Sequence, residues 1–130
     1  MTWRSALKPF RRPHLWAGLW CLGIALLVVV SLLPAPDLPK PPGSDKLHHF
    51  LAYALLAASA VQLYARWPSL LGAGLGLVLL GIGLEHAQGA LTDTRMADGR
   101  DALANTLGAI AGLATRLTPW RDLLLRFDTR

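Results

Sequence analysis

At 130 residues the chain has the length of one domain, and its 53% hydrophobic against 16% charged residues place it with membrane proteins rather than soluble ones. The formal net charge of +5 comes from cations gathered at the two ends, beside apolar runs, which reads as an orientation signal and argues against nucleic acid as a partner. A single cysteine, Cys21, excludes an intramolecular disulfide or a cysteine-based metal site.

Residues 1–14 form a basic N-terminal segment with Arg4, Lys8, Arg11 and Arg12, in which Pro9 and Pro13 oppose a long helix. Residues 15–33 follow as an uncharged run of 19 residues, enough to cross a bilayer core. The run is long for the apolar part of a signal peptide, and Pro34-Ala35-Pro36 is a poor cleavage site, so it reads as an uncleaved first span. Residues 34–44 hold five prolines and a glycine and read as an extended connector.

Residues 45–64 make the second span, which opens on a polar cluster: Asp45 and His49 are four apart, as are His49 and Tyr53, and Lys46 is three from His49. Arg66-Trp67-Pro68 is expected to be a tight turn before the third span, residues 70–84, where Gly72 and Gly76 form a small-xxx-small pair suited to close helix contact. The fourth span, residues 101–117, carries a second such pair, Gly108 and Gly112. In residues 118–130, Thr118 can cap, Pro119 suits a first helical position, and Trp120, Leu123, Leu124 and Phe127 fall on one face. That pattern predicts a short amphipathic helix lying in the membrane interface.

The expected fold is therefore an all-α, four-span bundle over residues 15–117 with a terminal interfacial helix. Counting Lys and Arg sets its orientation. With the N-terminus inside, nine fall on the inner side and only Lys40, Lys46, Arg95 and Arg100 on the outer, which places both termini in the cytoplasm of a cell membrane protein. Six of the eight acids then lie outside.

The polar ends of spans two, three and four meet on that outer face. Gly81, Glu85 and Gln88 are spaced i, i+4, i+7 on one helical face, and Asp101, Asn105 and Gly108 repeat the spacing on the next helix. Single burial of such groups in lipid costs on the order of 2.5–3.5 kcal/mol each, so a shared pocket that pairs them is favoured. Asp45, Lys46, His49, Tyr53, Glu85, Gln88, Arg95, Asp101 and Asn105 are the candidate ligand-binding residues. Glu85 and Arg95 are the expected ion pair, with Lys46 as the competing cation. Each motif also has a plain structural use. His49 and Tyr53 can fix helix packing, Asp101 can complement a helix dipole, and Asn105 with Gly108 can act as interhelical glue.

Asp45-Lys46-x-x-His49-Phe50-x-x-Tyr53, Gly81-x-x-x-Glu85-x-x-Gln88, and Arg95 with Asp101-x-x-x-Asn105-x-x-Gly108 together resemble the VanZ-like family of small polytopic membrane proteins. The resemblance covers residues 34–112 and implies a cell-envelope protein. The family takes its name from a member linked to teicoplanin resistance, so the phenotype it would carry over is glycopeptide tolerance. The ligand and any catalytic activity are not supplied by it.

Three functions follow as expectations. The first is an outward-facing pocket that binds an envelope or lipid-linked ligand. The second is a membrane-surface enzyme acting on a phosphate-containing lipid or cell-wall precursor. In it Asp45, His49, Glu85 and Asp101 offer metal-type donors, Lys46, Arg95 and Arg100 would hold phosphate, and His49, Glu85 or Asp101 would be the catalytic candidates. No metal-binding motif, nucleophile elbow or phosphate loop is present, so no cofactor or resident metal is assigned. The third is a proton-coupled carrier, for which four spans without an internal repeat would have to assemble as a homo-oligomer.

Overall fold

The computed structural model describes residues 3–33, 44–91 and 99–130. Among these residues six α-helices follow in order: α1 (Trp3–Ala6), α2 (Pro13–Leu32), α3 (Ser44–Leu63), α4 (Trp67–Leu91), α5 (Gly99–Ala114) and α6 (Leu123–Asp128). Short 3-10 turns at Thr115–Leu117 and Pro119–Asp122 join the last two. No named strand occurs among the described residues; a lone antiparallel bridge joins Leu7 to Tyr64.

Two helices, α2 and α4, are long and apolar enough to cross a membrane. α5 has 16 residues, which at the α-helical rise is about 24 Å against a hydrocarbon core of about 30 Å. α3 is shortened as an apolar segment by its polar opening, Asp45-Lys46-Leu47-His48-His49. α2 buries none of its residues, and Leu15, Leu19, Leu22, Leu26, Val29 and Val30 are all exposed. That is the surface expected of a helix whose solvent is hydrocarbon.

Helix boundaries depart from the sequence expectation in one respect that matters for the site. The third apolar segment was expected to run over residues 70–84, after a tight turn at Arg66-Trp67-Pro68. Instead Trp67 and Pro68 open α4, where Pro68 lacks only an N–H that the first turn leaves unsatisfied. The helix then continues to Leu91. Glu85, His86 and Gln88 are therefore inside a 25-residue helix and not at its end. Helical hydrogen bonding outlasts the apolar run because nothing between Leu84 and Leu91 breaks it: Gly89 costs only about 1 kcal/mol relative to Ala.

α3 and α5 form the closest pair. A Cβ on Gly108 would collide with the Phe50 carbonyl, and one on Gly112 would lie 2.6 Å from Ala57 Cβ. The expected contact role of Gly108 and Gly112 holds. That of Gly72 and Gly76 does not, since a Cβ on either would meet nothing within 4 Å. The glycines that bring α4 inward are Gly74, against Leu113, and Gly81, against Asn105 and Tyr53. The core between these helices is Tyr53, Ala57, Leu77 and Ala109, extended by Ala60, Val61 and Leu70.

The helices alternate in direction, which gives the molecule two chemically different ends. At one end Lys8 N donates to Leu63 O at 2.8 Å and Ala65 N to Ala6 O at 2.9 Å, tying the N-terminal segment to the end of α3. The C-terminal segment closes over the same end. Thr118 caps its first turn as expected, with Trp120 N donating to its hydroxyl at 3.3 Å. It divides into a 3-10 turn and α6, however, and packs on the N-terminal segment: Leu124 and Leu125 cover the cluster of Leu7, Phe10 and Leu63. Of the expected apolar face, Trp120, Leu123 and Phe127 stay exposed. The other end gathers the start of α3, the last turns of α4 and the start of α5.

Candidate functional site: a polar cluster at one end of the bundle

His49 is at the centre of this second end. Its Nδ1 lies 3.0 Å from Asn105 Oδ1 on α5. An amide oxygen can only accept, so Nδ1 carries the hydrogen and donates it. His49 Nε2 then points at Asp101 Oδ2, 3.7 Å away, and Lys46 Nζ is 2.7 Å from Asp101 Oδ1. Lys46, His49, Asp101 and Asn105 thus form one polar chain between α3 and α5. The i, i+3 spacing of Lys46 and His49 and the i, i+4 spacing of Asp101 and Asn105 put each pair on a single helix face. Gly108 and Gly112 hold the two faces at hydrogen-bonding distance.

α4 supplies the third side. Gly81 packs against Asn105 and Tyr53, and a Cβ there would sit 3.1 Å from Asn105 Nδ2 and 3.3 Å from Tyr53 Cε1. Glu85 follows one turn, about 5.4 Å, further along the same face and is 5% exposed. Gln88 is buried too, and its Nε2 donates to Ser31 O at 2.9 Å. Ser31 lies in the last turn of α2, where carbonyls lack helical partners, so Gln88 satisfies one of them and fastens α2 to α4.

The candidate residues therefore divide. Lys46, His49, Asp101 and Asn105 are brought into direct contact, with Glu85 beside them. Gln88 faces α2, and Tyr53, 2% exposed, belongs to the core. The polar contacts of the His49 ring, with Asn105 and Asp101, go to α5. Arg95, the expected partner of Glu85, and the Asp45 side chain lie outside the described residues. Among the described residues no three His, Cys, Asp or Glu side chains gather as a metal site. His48, His86 and Arg100 are exposed around the rim.

A second polar constellation, at the opposite end, was not anticipated from the sequence. Lys8 is buried, reaches Asp122 Oδ1 at 2.8 Å, and also donates to Arg121 O. Asp128 is buried where the Arg11 amide and the Trp16 indole N–H, the latter at 2.9 Å, donate to it. Gln62 donates to Trp120 O at 2.9 Å and accepts from Leu124 N at 3.0 Å. The hydrogen bond and charge of Lys8 hold the Asp122 carboxyl below the usual carboxylate range. For Asp128, desolvation raises the pKa, but hydrogen bonds from Trp16, Arg11 and Arg12 together outweigh it and leave the carboxyl lowered. The available signal was Gln62, a lone amide near the end of an apolar span.

No family model, curated protein or solved structure matches the chain.

Proposed function

We propose that this is a multi-pass membrane protein of the VanZ-like type, in which α2, α3, α4 and α5 all cross the bilayer and both termini are cytoplasmic. The polar cluster then faces outward and binds an envelope or lipid-linked ligand. The observation that carries this reading is the chain Lys46–Asp101–His49–Asn105 with Glu85 buried beside it. A single structural pair would suffice to hold two helices together. Here a cation, an imidazole, two carboxylates and an amide are gathered at one level, at a desolvation cost that packing alone does not call for. The family resemblance supports the same residues, and glycopeptide tolerance is the phenotype to examine first.

The test compares small molecules and lipids co-purified with the wild type and with His49→Ala, Glu85→Gln and Asp101→Asn, identified by mass spectrometry. One species depleted in all three variants, with helix content unchanged, is the expected result. Identical profiles would reduce the cluster to helix glue. The enzyme reading has one observation of its own: His49 Nε2 is left facing a carboxylate while Nδ1 is held by an amide, an arrangement suited to moving a proton. In that case the same variants would keep the ligand and fail to turn it over.

A further inference from the structure

We propose that the cleft between α2 and α3 binds one alkyl chain of an anionic membrane phospholipid, a site separate from the polar cluster. This rests on the reading of the chain as a membrane protein. The cleft has a volume of about 370 Å³, at the lower end of ligand-sized pockets. Leu19, Trp20 and Gly23 form one wall, and Leu56, Ser59 and Leu63 the other. Gln62 and Leu124 line it as well, so the C-terminal segment forms its floor.

The lining is apolar in effect, because its polar side chains are already engaged. The Trp20 indole donates to Leu56 O at 3.0 Å, and the Ser59 hydroxyl to Leu55 O at 2.7 Å. Gln62 uses both ends of its amide on the C-terminal segment. A polar guest would find few partners there and would lose much of its own hydration. A hydrocarbon guest loses nothing. The far end is closed where α2 and α3 meet, since a Cβ on Gly23 would lie 3.3 Å from Leu56. From Leu56 to Gln62 is about 9 Å of helix, room for part of one chain.

Charge selects the headgroup. Arg11 and Arg12, just before α2, are exposed at this end, as are Arg121 and Arg126 on the C-terminal segment. The acids beside them are taken up locally: Asp122 by Lys8 and, at 3.8 Å, by Arg121, and Asp128 by Trp16 and the Arg11 amide, which leaves Arg11, Arg12 and Arg126 in excess. The rim is therefore positive, and each such cation near a surface is worth about 1 kcal/mol toward anionic lipid.

Native mass spectrometry tests this on the full chain, released from micelles doped with equal amounts of phosphatidylglycerol and phosphatidylcholine of identical acyl chains. One phosphatidylglycerol per chain is expected. Ser59→Phe, which fills the cleft and gives up only a bond within its own helix, should reduce that adduct at least fivefold. Ile110→Phe, on an exposed face of α5, should not. Arg11→Gln with Arg12→Gln should keep an adduct but lose the preference for phosphatidylglycerol. Should Ser59→Phe fail to fold, phosphatidylglycerol with a photoreactive group in its acyl chain must crosslink to residues 19–23 and 56–63 of the wild type. Equal adducts in wild type and Ser59→Phe, crosslinks spread evenly over the helices, or a lipid-free dimer that Ser59→Phe dissolves would each overturn the proposal. Identical co-purification profiles in the polar-cluster variants, with this adduct retained, would count against the proposed function alone. A chain that does not partition into micelles or vesicles would overturn both.

Discussion

Asn105 is nine-tenths and more buried, at 3% exposure, and its oxygen holds the His49 Nδ1–H. Replacing it by Leu strands that donor, a loss of about 1–3 kcal/mol. Lys46 is different: its side chain is 39% exposed, and an ion pair so accessible contributes at most about 1 kcal/mol. Thermal unfolding in detergent should therefore rank Asn105→Leu well above Lys46→Ala in damage. The double variant His49→Leu with Asn105→Leu should cost less than the sum of its parts, and strict additivity would show that the two do not interact. The partners of His49 could be narrowed to a helix face from spacing, but not chosen. Tyr53 and Asp45 share its face as fully as Lys46 does, and only the approach of α5 selects Asn105 and Asp101.

The four long helices were legible as apolar runs, and Gly108 and Gly112 as a contact pair. The inward face of the last part of α4, Gly81 with Glu85 and Gln88, was legible too; that of its first part was not. Its glycines recur around the helix, and a ladder at 72 and 76 looks as good on paper as 74 and 81 until a neighbour takes one side. The consequence is measurable. Gly76→Ala should be neutral or stabilising by up to about 1 kcal/mol, because it removes backbone freedom and touches nothing. Gly108→Ala drives a methyl into the Phe50 carbonyl and should cost about 1–3 kcal/mol or more. Circular dichroism melts of the two variants would separate them. The terminal segment has its own test. Asp122 and Asp128 have lowered carboxyl pKa values in the fold, so their contribution is complete above the ordinary carboxylate pKa and is lost as pH falls through the lowered values. Proteolysis within residues 118–130 should rise below about pH 4, and Asp122→Asn with Asp128→Asn should be cleaved readily at neutral pH as well.

For the whole molecule, the bundle has a polar-cluster end and a termini end, and the proposed topology has the first outside the cell. With Cys21→Ser as background, cysteines placed at Ser44 and Thr94 should label from outside, and those at Ser5 and Thr129 only after permeabilisation. The opposite pattern would invert the orientation. Charge counting can propose a sidedness because it needs only loop composition. It could not reveal that the termini are joined, since Lys8 and Asp128 look like any other solvated charges in the sequence.

That junction bears on how the molecule is made. Residues 6–11 are made before their partners Leu63, Asp122 and Asp128, the last of them 117 positions beyond Arg11. In the proposed topology α2 can enter the bilayer at once, but the buried Lys8 and the Trp16 indole have no acceptors until residues 121–128 have been made. Contacts so distant in sequence close last. In the proposed membrane topology the helices are threaded before the ends are tied, and a nascent chain halted short of residue 122 would present an inserted bundle with an unfastened, basic tail.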